Sequence, residues 1–201
     1  YDFNGNGDYT EEMYLTSNYY AHHANHLFKV DYLIKNNNDE TYSQSTIHHG
    51  NESLTSKITI TNKQATAVKN FNLITELPTS LKKGGERKLA HYYLSEEIKL
   101  PQSMKKDFNV VYTDEIIQND LDKVNWRSFD EVPNQKDIVA FKIEKINNTK
   151  SNYDDTLEIT YSISTDIMEP LDDVIMMSSS ILNINDYETI RSLPITITRT
   201  K

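Results

Sequence analysis

Residues 156–165 read TLEITYSIST and carry the clearest pattern in the chain. Every second position is apolar: Leu157, Ile159, Tyr161 and Ile163. Successive side chains of a β-strand point to opposite faces of the sheet, so the stretch predicts a strand with one buried face and one face in water.

The same alternation recurs elsewhere, and residues 27–35 place four apolar side chains on one face: Phe28, Val30, Tyr32 and Ile34. Runs of β-branched and aromatic residues predict further strands at Lys57–Thr61, Phe71–Leu77, Tyr92–Leu100, Phe108–Tyr112, Ile138–Ile146, Val174–Leu182 and Ile195–Thr198. Turn-forming clusters of Asn, Asp, Pro and Gly separate these runs. About nine strands separated by such turns predict an all-β sandwich. One short helix is predicted at Asp114–Val124.

The length of 201 residues allows one large sandwich or two small ones. We expect a single module over 1–201 with an N-terminal junction segment at 1–18. Two small β domains divided near 101–106 are the alternative. Because the chain begins with Tyr1, we expect it to be cut from a longer precursor.

The composition excludes several classes of function. A net charge of −9 argues against binding nucleic acid, and it gives little attraction to anionic membranes. The chain has no cysteine, which excludes disulfides, thiolate zinc sites and cysteine nucleophiles.

Motifs of catalysis are missing from the sequence. It contains no nucleophile elbow, P-loop or dinucleotide fingerprint. The paired carboxylates Asp154-Asp155 and Asp172-Asp173 offer a glycosidase alternative, but adjacent aspartates in turns are usually solvated. We therefore expect a protein that is not an enzyme.

The N-terminus carries the sharpest chemical pattern. The spacing D-x-N-x-N-G places hard oxygen ligands where a calcium loop needs them, with glycine at the sharp turn. The candidate ligands are Asp2, Asn4, Asn6, Asp8, Glu11 and Glu12. Met13 occupies the position of the usual bidentate glutamate, so calcium would need a non-standard geometry. The alternative is an Asn/Gly-rich turn at a frayed terminus.

Two other groups of residues could bind a ligand. The histidines His22, His23 and His26, with His48 and His49, could hold zinc or nickel, but a surface loop is the interpretation that we favour. Tyrosine and tryptophan combine an apolar body with a polar tip, which suits recognition of proteins or sugars. The candidate ligand contacts are Tyr19, Tyr20, Tyr92, Tyr93 and Trp126, and core filling is the alternative for the tyrosines.

Residues 57–78 read KITITNKQATAVKNFNLITELP, a strand ending in "TN", a short loop, a second strand and "LP". VVYTDE (110–115), Trp126 and DIVAFKIE (137–144) follow in order. This arrangement resembles the immunoglobulin-like modules of Gram-positive cell-wall-anchored surface proteins. The resemblance covers roughly residues 55–165. It implies an immunoglobulin-like β-sandwich and no catalytic residues.

The resemblance also implies that a Lys–Asn isopeptide bond is worth seeking. The positions to inspect are Lys29 or Lys35 with Asn183 or Asn185. The alternative is that these lysines reach water from the polar face of their strand, which avoids the cost of burying a charge.

We expect a secreted bacterial surface module, either an adhesin head or a stalk repeat, anchored to the cell wall through a region outside this chain. Its partners would be a host protein, a glycan or neighbouring modules, without nucleic acid or direct membrane contact. An accessory carbohydrate-binding domain of a secreted enzyme is the alternative.

Overall fold

The computed structural model describes residues 27–49, 52–63, 67–81, 87–102, 104–115, 117, 123–146, 156–166, 174–185 and 188–199. Within these ranges, the strands are β1 (Phe28–Lys35), β2 (Ser45–His48), β3 (Leu54–Asn62), β4 (Phe71–Glu76), β5 (Thr79–Leu81), β6 (Arg87–His91), β7 (Tyr93–Leu94), β8 (Phe108–Thr113), β9 (Ala140–Lys145), β10 (Thr156–Ser164), β11 (Val174–Ser178), β12 (Ser180–Ile184), β13 (Glu188–Arg191) and β14 (Ile195–Arg199). Short 3-10 helices span Phe129–Glu131 and Gln135–Asp137. None of the described helices is long and apolar enough to cross a membrane.

The described strands form three sheets. The four-stranded sheet has the order β1-β3-β10-β7, and the five-stranded sheet has the order β13-β12-β4-β9-β8. A third sheet, the end sheet, has the order β2-β14-β11-β5-β6. Neighbouring strands pair antiparallel, except for the parallel pair of β2 and β14. The prediction of an all-β sandwich with antiparallel sheets is confirmed.

The hydrophobic core lies between the four-stranded and five-stranded sheets. The rings of Phe141 on β9 and Tyr161 on β10 meet edge to face across it, with their centres 5.0 Å apart. The alternating apolar residues of β1 and β10 predicted to face inward are all buried. Each such burial stabilises the fold by about 1.5–3 kcal/mol, so the alternation directs the assembly of the sandwich.

Three segments of the chain connect the five-stranded sheet with the end sheet. β4 continues into β5, β12 follows directly on β11, and β13 leads into β14. Strands that switch sheets in this way form the corners of sandwiches. At this corner the hydroxyl oxygens of Thr75 and Ser180 lie 2.8 Å apart, and the amide of Ser180 donates to Ser192 Oγ at 2.9 Å. Buried hydroxyls therefore satisfy backbone and side-chain groups where the sheets diverge.

Some predicted elements differ from the structure. Tyr92–Leu100 contains only β7, because the chain turns away and the Ile98 amide donates to the Tyr112 hydroxyl at 3.1 Å. Val174–Leu182 is two strands that belong to different sheets. In the predicted helix at Asp114–Val124, the first two residues form a bend, and much of the remainder lies outside the described residues.

The alternative of two β domains divided near 101–106 is wrong. β3, which precedes this point, pairs with β10, which follows it. β4 likewise lies between β12 and β9. Each main sheet therefore contains strands from both sides of the proposed boundary. The junction segment at 1–18 lies outside the described residues.

Candidate binding surface

The outer face of the five-stranded sheet carries a line of polar side chains, one from each strand. In strand order, this polar row consists of Thr189, Asn183, Asn72, Glu144 and Asn109. Adjacent members occupy directly opposite positions of paired strands. Their sequence neighbours Leu182, Leu73 and Ile143 are buried in the core, so the strand alternation directs the row away from it. With strands about 4.8 Å apart, the row extends about 19 Å across the sheet.

The polar row presents hydrogen-bonding groups of both kinds. Thr189 Oγ1 donates to Asn183 Oδ1 at 2.8 Å, and Asn109 Oδ1 accepts from the amide of Val110 at 3.0 Å. The carboxylate of Glu144 lies 2.5 Å from Lys142 Nζ, so its charge is compensated locally. A primary amide both donates and accepts. The row is therefore a nearly neutral surface with donors and acceptors at regular intervals.

A second row runs beside the polar row on the same face and combines three apolar with two basic side chains. It consists, again in opposite positions, of Arg191, Ile181, Ile74, Lys142 and Val111. Ile74 and Val111 are buried although they belong to the outer face. The Lys142 side chain lies between their strands and is only 17% exposed. Its Nζ lies 5.2 Å from the ring centre of Trp126, within the range of a cation–π contact.

The position of Trp126 depends on the residue that follows it. The backbone of Arg127 forms an isolated bridge with Tyr112 on β8, with N···O distances of 2.7 and 2.9 Å. The guanidinium of Arg127 also binds the carboxylate of Asp114. These contacts anchor the loop at the sheet edge, and the half-buried Trp126 ring lies beside Lys142 on the outer face. The prediction that Trp126 contacts a ligand remains untested, but its location suits that role.

The other predicted ligand contacts separate into three groups. Tyr19 and Tyr20 lie outside the described residues. Tyr92 is 0% exposed, so the prediction that it meets a ligand at the surface is wrong. Neighbouring side chains of an extended chain point to opposite sides, and of Tyr92 and Tyr93 it is Tyr92 whose ring lies in the core.

Tyr93 is half-buried and belongs to a separate polar group. Its hydroxyl donates to Asp166 Oδ1 at 2.6 Å, and this bond, the largest contribution, raises the pKa of the phenol. Lys136 Nζ lies 2.5 Å from Asp166 Oδ2 and 4.9 Å from the centre of the Tyr93 ring. A ligand role for Tyr93 stays a prediction. Tyr93 belongs to β7 of the four-stranded sheet, whereas Trp126 lies beside Lys142 of the five-stranded sheet.

The histidines do not form a described metal site. His22, His23 and His26 lie outside the described residues, and those residues contain no group of three or more side chains suited to a metal ion. His48 is buried. Its Nε2 lies 2.8 Å from the Glu52 carbonyl oxygen, which can only accept, so Nε2 carries the proton. Nδ1 then accepts from the Tyr92 hydroxyl at 2.5 Å, which makes His48 a structural residue.

Burial is the main influence on the titration of this pair. It lowers the pKa of His48, and the positive charge of Arg199 acts in the same direction. Arg199 is itself buried and lies opposite His48 in the parallel pairing of β14 with β2. Burial also raises the pKa of Tyr92 well above its ordinary value. Both groups are therefore neutral in the folded protein near pH 7.

The lysines and asparagines considered for an isopeptide bond have other contacts. Lys29 is 58% exposed and lies 2.7 Å from Asp31, while Lys35 Nζ lies 5.0 Å from the ring centre of Tyr42. Asn183 belongs to the polar row. Asn185 adopts a positive φ of 54° and its side chain binds backbone groups of residues 67–70. An isopeptide bond at these positions stays a prediction, and intact mass tests it through the loss of one ammonia.

The proposed calcium ligands and the paired carboxylates cannot be placed. The candidate ligands Asp2, Asn4, Asn6, Asp8, Glu11 and Glu12 lie outside the described residues. Asp154-Asp155 and Asp172-Asp173 do as well. Calcium binding therefore remains a prediction from the sequence.

Sequence reasoning did not find the polar row. Alternation does place Asn72, Glu144 and Asn183 opposite to apolar neighbours in their own strands. It does not tell which strands pair or in which register. Only the pairing of β12, β4, β9 and β8 brings these residues into one line.

Comparisons with known proteins add structural likenesses of low identity. No family model and no curated protein matches the sequence. Among solved structures, the chain matches the C-terminal domain of the Streptococcus pyogenes antigen I/II-family protein AspA (TM-score 0.44, 8% identity, covering 85% of this chain and 46% of that one). It matches BcpA, the major pilin subunit of Bacillus cereus (TM-score 0.39, 9% identity, 86% and 40%). It also matches a type II cohesin domain from the cellulosome of Acetivibrio cellulolyticus (TM-score 0.39, 12% identity, 84% and 95%).

The chain spans less than half the length of the first two proteins. These matches include Gram-positive surface antigens and pilins, the class that the sequence resembles. Enzymes are also among the matches. TM-scores below 0.5 assign neither a partner nor an activity to this chain.

Proposed function

We propose that this chain is a non-catalytic module of a bacterial surface protein and that it binds a ligand on the outer face of its five-stranded sheet. The polar row is the observation that carries the proposal. A spacer needs only solvated charged faces, whereas this face aligns amide, hydroxyl and carboxylate groups from five strands beside the second row and Trp126.

The chemistry of the face favours an uncharged, hydroxyl-rich ligand, and we propose a glycan. Sugar hydroxyls donate and accept hydrogen bonds, as the amides of Asn72 and Asn183 do. An aromatic ring such as Trp126 offers an apolar surface on which a sugar ring can stack. The net charge of −9 disfavours acidic polymers. A linear ligand across the strands would meet one member of the row about every 4.8 Å.

Binding to a glycan array tests this function, with the double variant Asn72→Ala/Asn183→Ala compared with wild type. We expect at least roughly a tenfold loss of affinity, since each lost hydrogen bond is worth about 1 kcal/mol. Thr59→Ala/Thr61→Ala is the matched control, because both threonines lie on β3 in the four-stranded sheet. It should bind as wild type does.

Three results separate the alternatives. If the Asn72→Ala/Asn183→Ala variant binds glycans as tightly as the control variant does, this face is not the binding site. Binding to extracellular proteins alone, lost in the double variant, would keep the face and replace the ligand class. A chain that binds neither class would be a spacer, and the proposed function would be wrong. The carbohydrate-binding domain of a secreted enzyme fits the same face, so its distinction from an adhesin depends on the neighbouring domains.

A further inference from the structure

Among the described residues, one edge of β10 lacks a partner over half of its length. β3 pairs with β10 from Thr156 to Ile163, but on the other side β7 pairs only with Ile163 and Ser164. The amide of Ser95 then donates to the carbonyl of Ser162 at 2.9 Å. In an antiparallel ladder, the backbone groups of alternate residues point to the same side. Those of Thr160 and Glu158 therefore point the same way as those of Ser162.

No backbone group among the described residues pairs with Thr160 or Glu158 on that side. The path of the described chain after β7 leaves this edge open. After Ser95 the chain turns inward, because Ile98 is buried and its amide binds the Tyr112 hydroxyl. β7 consequently cannot extend along β10. We call the segment from Thr156 to Thr160 the open edge.

The outer edges of β8 and β2 are covered in part. On β8, the Asn109 side chain accepts from the amide of Val110, and Arg127 pairs with the backbone of Tyr112. On β2, the Asn36 side chain donates to the carbonyl of Ile47 at 3.1 Å. Natural sheets protect their edges because unpaired backbone groups attract another strand. The open edge has no comparable side-chain or backbone cover among the residues described.

We infer that the open edge binds an extended, basic segment of a partner protein, which adds to the four-stranded sheet as a further strand. The backbone groups of Glu158 and Thr160 provide the ladder. Charge selects the occupant. Glu158 is 57% exposed and its carboxylate lies 3.6 Å from Lys57 Nζ. Glu96, which pairs with Lys99, and Glu97 are exposed where β7 ends. Lysine or arginine on the added strand would face these carboxylates at short range.

A second copy of this chain is a poor occupant. Antiparallel pairing of two open edges about their centre places Glu158 opposite Glu158, and like charges in direct opposition destabilise a strand pair. Each copy also carries a net charge of −9. The inference does not depend on the polar row, which belongs to the other main sheet.

The test is titration of a short synthetic peptide that alternates lysine with valine and threonine into isotopically labelled protein, followed by amide NMR signals and hydrogen exchange. We expect the amides of Glu158 and Thr160 to shift and to exchange more slowly. The amide of Ile159 should change little, since it points toward β3 and not to the open side. A peptide with glutamate in place of lysine should bind at least about tenfold more weakly.

Thr160→Pro removes the amide hydrogen on the open side and no hydrogen bond of the β3 pairing, so it should weaken peptide binding about tenfold or more. Thr160→Ala keeps that hydrogen and should bind as wild type does. Circular dichroism establishes that both variants fold, and Glu158→Lys tests charge if the proline variant does not. Equal binding to wild type and Thr160→Pro, or shifts confined to other strands, would overturn the inference. Self-association abolished by Thr160→Pro would overturn the choice of occupant.

Discussion

The hydroxyl oxygens of Tyr32 and Tyr161 lie 2.6 Å apart in the core, although 129 positions separate the two residues in the chain. Tyr32 belongs to β1 and Tyr161 to β10, the two strands that flank β3. The Ser178 hydroxyl donates to the Glu76 carbonyl, and its oxygen lies 3.3 Å from the Tyr32 hydroxyl oxygen. This polar cluster therefore connects the four-stranded sheet with the corner of the sandwich. Burial raises the pKa of both phenols.

Removal of one hydroxyl from this pair should destabilise the protein. Tyr161→Phe leaves the Tyr32 hydroxyl without its closest partner, at a cost of about 1–2 kcal/mol in the free energy of unfolding. Urea denaturation of Tyr32→Phe, Tyr161→Phe and the double variant measures the coupling. We expect the double variant to be less destabilised than the sum of the single ones. Additive effects would show that the two hydroxyls do not interact.

The buried His48 should make stability depend on pH. In the unfolded chain the imidazole has its ordinary pKa near 6.5, whereas burial lowers the pKa in the folded protein. As the pH falls below the ordinary value, the unfolded state takes up a proton that the folded state resists, so stability decreases until the folded pKa is reached. Thermal unfolding between about pH 7 and pH 5 should show a smaller decrease for His48→Gln than for wild type.

His49→Gln is the matched control for this measurement, because His49 is exposed and adjacent in sequence. It should retain the pH dependence of wild type. Identical slopes for wild type and His48→Gln would show that His48 does not titrate differently on folding. The comparison cancels the contribution of carboxylates, which the variants share.

The corner between the sheets should be sensitive to the loss of one hydroxyl. Ser192 Oγ accepts from the amide of Ser180, and both residues are buried. Ser192→Ala leaves that amide without its acceptor and should cost about 1–3 kcal/mol. Ser179→Ala, at the half-buried junction of β11 and β12, should stay within about 0.5 kcal/mol of wild type. Equal urea midpoints for the two variants would contradict the role assigned to Ser192.

Calcium binding by the segment from Asp2 to Glu12 remains a prediction from its spacing of oxygen ligands. If the ion binds only the folded protein, calcium at about 100 times its Kd should stabilise the chain by about 2.7 kcal/mol, and a chelator should reverse the rise in Tm. Asp2→Ala should remove the shift, whereas Thr10→Ala should keep it. A shift that persists in Asp2→Ala would place the calcium site elsewhere.

Much of the strand content followed from local patterns. β1 and β10 lie close to their predicted limits, and their inward residues are the predicted ones, because alternation is a property of neighbouring residues. The length of the strand predicted at Tyr92–Leu100 was wrong for a non-local reason. The binding of the Ile98 amide to the Tyr112 hydroxyl ends β7, and nothing in the local sequence encodes that contact.

The candidate binding features depended almost entirely on strand pairing. The pattern of apolar and polar residues was sufficient to assign the all-β class and to choose the core face of each strand, since burial of apolar side chains dominates the energy of folding. It could not align Asn183 with Asn72, leave the edge beside Glu158 open or bring Tyr32 to Tyr161. Those relationships require the register of strands that lie far apart in the chain. Backbone hydrogen bonds between strands are nearly independent of side-chain identity, so register emerges only when the whole sandwich packs.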